Sequence, residues 1–128
     1  MTSLPSEIWE RIVATGDAAP LEQLLASDVV FESPVVHTPQ VGRGLTKAYL
    51  MGALEALNRA EFRFTARWFA DRSAVLEFET RVDGLAINGV DIIDWNTDNQ
   101  ITRFKVMIRP LKAINAVHQA MGRLLAKS

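Results

Sequence analysis

Asp83-Gly84 stands between two runs of alternating apolar and polar residues, and it constrains the chain more than any other pair. An Asp-Gly pair so flanked is a strong signal for a two-residue hairpin turn. Before it, Leu76, Phe78, Thr80 and Val82 alternate with Glu77, Glu79 and Arg81; after it, Ile87, Gly89, Asp91, Ile93 and Trp95 fall on one face. The turn pairs Val82 with Leu85, Thr80 with Ile87, Phe78 with Gly89 and Leu76 with Asp91. Directly opposed residues share a face, so Asp91 lies in an apolar row. Alternation counted back from Trp95 places it there independently. A lone carboxylate in such a row needs a partner, a raised pKa or a job.

Gly84 to Pro110 thus reads as a long strand, a turn around Asn96–Gln100 and a second strand. In that strand Phe104, Val106 and Ile108 alternate with Arg103, Lys105, Met107 and Arg109. A rival turn at Asn88-Gly89 would leave too short a strand before it, so that pair is expected to form a bulge or bend.

Upstream, Pro5 suits the first turn of a helix whose apolar side is Ile8, Trp9, Ile12 and Val13, ended by Gly16. Asp17 caps a second short helix carrying Leu21, Leu24 and Leu25. Val29 to Ser33 is a short strand, Pro34 to Gly44 a loop, and Leu45 to Leu57 a third helix. Glu61 to Ala70 is a strand with Phe62, Phe64, Ala66 and Trp68 inward and Arg63, Arg67 and Phe69 outward. Pro110 opens a last helix with a stripe of Leu111, Ile114, Val117, Met121, Leu124 and Leu125, and with Arg123 and Lys127 near its end. Runs of helices and strands, without strict alternation, indicate α+β with a largely antiparallel sheet.

The 128 residues are read as one domain, 1–128, with a real core. With a net charge of −1 and basic residues scattered among acidic ones, no patch argues for nucleic acid or an anionic membrane. No cysteine is present, which excludes disulfides, thiolate metal sites and a cysteine nucleophile. With two histidines, His37 and His118, and no paired spacing, neither a metal nor a cofactor is expected. There is no charged-then-apolar leader and no apolar run long enough for a bilayer, so a cytoplasmic protein is expected.

The order of elements resembles the nuclear-transport-factor-2-like superfamily, and within it the SnoaL-like proteins. The carrying residues are the Gly16-Asp17 break, the strand end Val30-Phe31-Glu32-Ser33-Pro34, the Gly42-x-Gly44 entry to the third helix, and Gly89-x-Asp91-x-Ile93-x-Trp95. The resemblance implies a cystatin-like roll: a curved sheet forming a cone, closed by the N-terminal helices. It also implies three polar positions used by the steroid isomerase branch. These are a tyrosine on the first helix, an aspartate base ending the first strand and a buried aspartate on the penultimate strand. Here they are Trp9, Ser33 and Asp91. Only the third keeps its residue, so the chain departs from the ketosteroid isomerase set. The Asp–Arg–Asp set of the epoxide hydrolases is also expected to be missing, because Arg63, Arg67, Arg81, Arg103 and Arg109 are all read as outward-facing.

The candidate catalytic groups are Asp91, as acid/base or ligand-orienting acceptor, and His37 in the loop at the cone mouth. Each has a plainer reading, a structural carboxylate bonded to an indole or amide and a solvated loop imidazole. His118 is read as solvated, and Glu32 as pointing away from the cone. The candidate ligand-binding wall is Trp9, Ser33, Tyr49, Phe62, Phe64, Phe78, Ile93, Trp95, Phe104 and Val106, although aromatic stripes are more often core. The expected function is a small-molecule pocket protein for a hydrophobic carbonyl compound, with cofactor-free isomerisation, cyclisation or hydrolysis if it is an enzyme. The alternative is a non-catalytic binding or interaction domain of the same fold. A homodimer through the outer sheet face is expected from Met107 and Phe69.

Overall fold

A computed structural model describes residues 3–57 and 59–126. Helix α1 (Pro5–Thr15) starts where Glu7 accepts the Leu4 amide at 2.7 Å, and it stops at Gly16, whose φ of 76° suits glycine. One helical turn, α2 (Leu21–Leu24), leads straight into strand β1 (Leu25–Glu32). The strand therefore begins earlier than its apolar run suggests, and Leu25 belongs to it instead of to the helix. The predicted loop after β1 contains a two-residue strand, β2 (Gln40–Val41), paired with Val30 and Phe31. Helix α3 (Arg43–Ala56) and a 3₁₀ turn at Arg59–Glu61 then lead to β3 (Arg63–Ala70), β4 (Ser73–Val82), β5 (Leu85–Trp95), β6 (Ile101–Arg109) and α4 (Leu111–Ala126).

The six strands form one curved, open sheet in the order β2-β1-β6-β5-β4-β3. All neighbours are antiparallel except β1 and β6. The β4–β5 register is the one the Asp83-Gly84 turn dictates, with Val82 opposite Leu85 and Leu76 opposite Asp91. It runs without interruption through Asn88 and Gly89, so the expected bulge there does not exist. Gly89 serves another purpose: a Cβ at this position would lie 2.5 Å from the Phe78 ring and 2.6 Å from the Met107 carbonyl oxygen. Glycine lets the Phe78 ring lie flat across β5.

The irregularity falls in β3 instead, between Phe64 and Ala66, where one extra residue shifts the pairing with β4. A one-residue shift turns the rest of the strand over. Arg67 and Phe69, expected outward, fall opposite the inward Leu76 and Ala74. Trp68, expected inward, is on the outer face opposite Val75 and is 55% exposed. Arg67 then meets Glu10 of α1 through two hydrogen bonds, of 2.9 and 2.6 Å. One arginine therefore shares the inner register, but a partner from the covering helix engages it.

The core lies between the inner sheet face and the helices, with Phe78, Phe104, Ile93, Leu76, Leu50 and Ile12 among its fully buried side chains. Helix α4 contributes Ala113 and Val117 as its buried positions. Leu111, expected to lead its stripe, is 71% exposed because it begins the helix beyond the edge of the surface that the helix covers. The Leu125 side chain and Lys127 lie outside the described residues. No helix among those described is long and apolar enough to cross a membrane.

Candidate functional site

Strand β5 carries Asp91 on its inner face between Leu76 of β4 and Val106 of β6. The flanking inward residues of β5 are Gly89 and Ile93, so its own strand brings no charge and no donor. Asp91 is 4% exposed, and burial pushes its carboxyl up to about 7. Desolvation disfavours the charged form. A weaker effect opposes it: the Trp9 indole N–H donates to Asp91 Oδ2 at 3.1 Å, which favours the carboxylate. At neutral pH the group is divided between acid and anion. The acid form donates a hydrogen bond and the anion accepts one.

From this pair a chain of aromatic rings leads toward the surface. Trp9 meets Phe104 edge-on, with ring centres 5.0 Å apart; Phe104 and Phe31 are 6.2 Å apart, and Phe31 and Tyr49 are 5.4 Å apart. Phe31 and Tyr49 face a pocket of about 180 Å³. Its walls are the end of β1 and the following turn (Ser33 to Val36), Tyr49 and Ala53 of α3, Val106 and Ile108 of β6, and Val117, His118 and Met121 of α4. Val106 is the direct cross-strand neighbour of Asp91, so the carboxyl lies one strand away from the pocket floor. Trp9 covers it from the helical side.

The ten expected wall residues therefore divide. Phe31, which was not among them, joins Ser33, Tyr49 and Val106 around the pocket. Trp9 and Phe104 form the layer between the pocket and Asp91. Phe62, Phe64 and Phe78 pack on one another elsewhere under the sheet, with Phe62 stacked on Phe78 at 4.6 Å and edge-on to Phe64 at 5.1 Å. Ile93 and Trp95 are buried core, and none of these five lines the pocket.

His37 is exposed in the turn after β1 and lines a separate surface cleft with Glu32 and Lys105. The structure does not bring it to Asp91. Glu32 faces the outer side, as expected, where Arg103 binds it at 2.6 Å. His118, read from sequence as merely solvated, stands at the pocket rim on α4. Its position next to Val117, which points into the core, was the available signal. The pocket's apolar wall from α4 and from Val35 and Val36 carries no recognisable motif in sequence. Among the described residues no three His, Asp or Glu side chains cluster as metal ligands would.

The serine at the end of β1 is also fixed by its surroundings. Ser33 Oγ accepts the backbone amides of Val35 and Val36, at 3.0 and 3.3 Å, which orders the turn that forms one lip of the pocket.

Comparison with known proteins agrees with this geometry. A family model described as a SnoaL-like domain matches residues 7–104. No functionally curated protein matches the chain. Among solved structures, a steroid delta-isomerase from Pseudomonas aeruginosa is similar, with 33% sequence identity, coverage of 96% of this chain and 90% of the other, and a TM-score of 0.91. An uncharacterised protein with a cystatin-like fold from Silicibacter pomeroyi is 30% identical over 97% of this chain and 86% of its own, with a TM-score of 0.89. A de novo designed protein with a curved sheet shares the fold at 12% identity, covering 90% of this chain and 94% of its own, with a TM-score of 0.71. The chain belongs to the SnoaL-like domain family, within the nuclear-transport-factor-2-like, cystatin-like fold.

Proposed function

We propose that this chain binds a compact hydrophobic carbonyl compound and polarises its oxygen through protonated Asp91, in cofactor-free acid/base chemistry of the isomerase or cyclase kind. The observation that carries the reading is the carboxyl itself: buried, held near neutrality by desolvation and one strand away from an apolar pocket. A carbonyl whose oxygen accepts a hydrogen bond from such an acid gives up its α-proton more readily, which is the first step of these reactions. The similarity to a steroid delta-isomerase and the family match support the reaction class.

The ligand is expected to be smaller than a steroid. Sites for drug-sized ligands run to about 300–1,000 Å³, and the pocket of about 180 Å³ falls below that range. A longer body would require the Trp9 indole to leave Asp91. Exchange of the α-protons of 4-methylcyclohexanone in heavy water, followed by NMR, tests the reading. Wild-type protein should accelerate the exchange and Asp91→Asn should not; equal rates with both would refute the acid role.

Binding without turnover is the second reading, and a specific observation favours it. Among the described residues the pocket wall holds no carboxylate to remove the α-proton, and Ser33 stands at the strand end where the resemblance places a base. In that case 4-methylcyclohexanone binds in an Asp91-dependent way while its exchange stays at the uncatalysed rate.

A further inference from the structure

The pocket wall is apolar except for three side chains, Ser33, Tyr49 and His118, and all three can donate. Ser33 Oγ has already accepted two backbone amides, so its own O–H is the function left to offer. The Tyr49 hydroxyl and the His118 imidazole make no hydrogen bond to another described residue. An imidazole presents at least one N–H whichever nitrogen carries the proton. Among the described residues no carboxylate, amide oxygen or other strong side-chain acceptor lies in the wall to receive a donor from the ligand. Three donors around an apolar pocket with no acidic group select an acceptor, and they reject a cation that would lose its water there without compensation.

Asp91 and the three donors lie on different sides of the pocket. Asp91 is behind Val106 on the sheet, while Tyr49 projects from α3, His118 from α4 and Ser33 from the turn after β1. We propose that the ligand carries a second acceptor oxygen, a carboxylate or another carbonyl, seated by Ser33, Tyr49 and His118 opposite the carbonyl that faces Asp91. This rests on the carbonyl-binding reading above and names its substrate class: a compact keto compound with an acceptor oxygen at its other end. Selection follows from hydrogen-bond type, because a site built of donors leaves them unpaired against a ligand that lacks the oxygen.

Four cyclohexanones with different groups at the 4-position separate the possibilities by isothermal titration. The probes are 4-oxocyclohexanecarboxylate, cyclohexane-1,4-dione, 4-methylcyclohexanone and 4-(dimethylamino)cyclohexanone. At least one of the first two should bind about tenfold more tightly than the methyl compound, and the amine should bind more weakly than it. If the carboxylate wins, the rim accepts an anion; if the dione wins, it accepts a neutral carbonyl. In the double variant Tyr49→Phe, His118→Ala the advantage should fall to about threefold or less. Affinity for 4-methylcyclohexanone should be unchanged in that variant, since the Tyr49 ring and its contact with Phe31 remain. Equal binding of the methyl compound, a preference for the amine, or an advantage that survives the double variant would overturn the inference and leave the carbonyl reading standing. If none of the four binds, or if 4-methylcyclohexanone binds alike to wild type and Asp91→Asn, the underlying reading falls and the inference falls with it.

Discussion

Replacing Asp91 by asparagine should make the protein more stable at mildly alkaline pH and leave it little changed in acid. The carboxyl of the native state titrates at about 7, against 3.8 for the solvated group. A carboxyl with a raised native pKa contributes stability that is fully present below the unfolded value and is lost as pH rises through the native one. The whole displacement of about 3 units corresponds to about 4 kcal/mol. Between about pH 5 and pH 8 the native state releases a proton that the unfolded chain has already lost, so this one group removes about 2.5 kcal/mol. The weakening effect of the Trp9 hydrogen bond is already contained in that value. The asparagine of the variant does not titrate and has nearly the same shape. Urea unfolding of both proteins at the two pH values gives a double difference in which every other titrating group cancels. The expected result is a gain for the variant of about 2.5 kcal/mol on going from pH 5 to pH 8, or roughly 10 °C in midpoint temperature. A double difference below about 0.5 kcal/mol would show that Asp91 is not desolvated as described.

Trp9→Phe removes the indole donor and keeps an aromatic ring against Phe104, so the Asp91 carboxyl should titrate still higher; an NMR titration showing a fall would refute the assignment of the bond. Gly89→Ala should cost about 1–3 kcal/mol in urea unfolding, because its Cβ meets the Met107 backbone carbonyl, which has no rotamer by which to move aside. Val117→Ala should lower stability by about 1–3 kcal/mol, whereas Leu111→Ala should stay within about 0.5 kcal/mol, reflecting their burial on the same helix. We also propose that two copies join through the outer sheet face. Trp68, Val75 and Ile92 form a cross-strand apolar row there, and Met107 stands 49% exposed beside Val90. Each contact would occur twice about a two-fold axis, and sedimentation of the wild type as a single 14.2 kDa species, or no change on Trp68→Glu, would contradict it.

The central hairpin was legible because its information is local. Asp83-Gly84 sets a register, strand alternation carries it onward to Asp91, and both place that residue inward. The ends of α1 were legible for the same reason, through Pro5 and Gly16. What failed depends on contacts distant in sequence. Nothing near Thr65 announces a bulge, yet that one residue exchanges Trp68 and Phe69 between faces and turns Arg67 toward Glu10. Gly89 reads locally as a bend, while its actual cause is the Phe78 ring from the facing strand. The pocket divided in the same way. Asp91 and Trp9 came from alternation and from the resemblance, and the structure joins them across 82 positions of sequence. His118 and the α4 wall depend on how the last helix crosses the sheet, which periodicity does not specify. Phe62, Phe64 and Phe78 have the composition of a binding wall but pack against one another, the commoner use of such rings.

The central claim is that Asp91 is a desolvated carboxyl that carries a proton at neutral pH beside the pocket. Its most direct test is the ¹³C chemical shift of the Asp91 carboxyl, followed by NMR across the pH range with Asp91→Asn to assign the signal. The account predicts a midpoint near 7, moved upward in Trp9→Phe. A midpoint at or below about 4, that of a solvated aspartate, would contradict it.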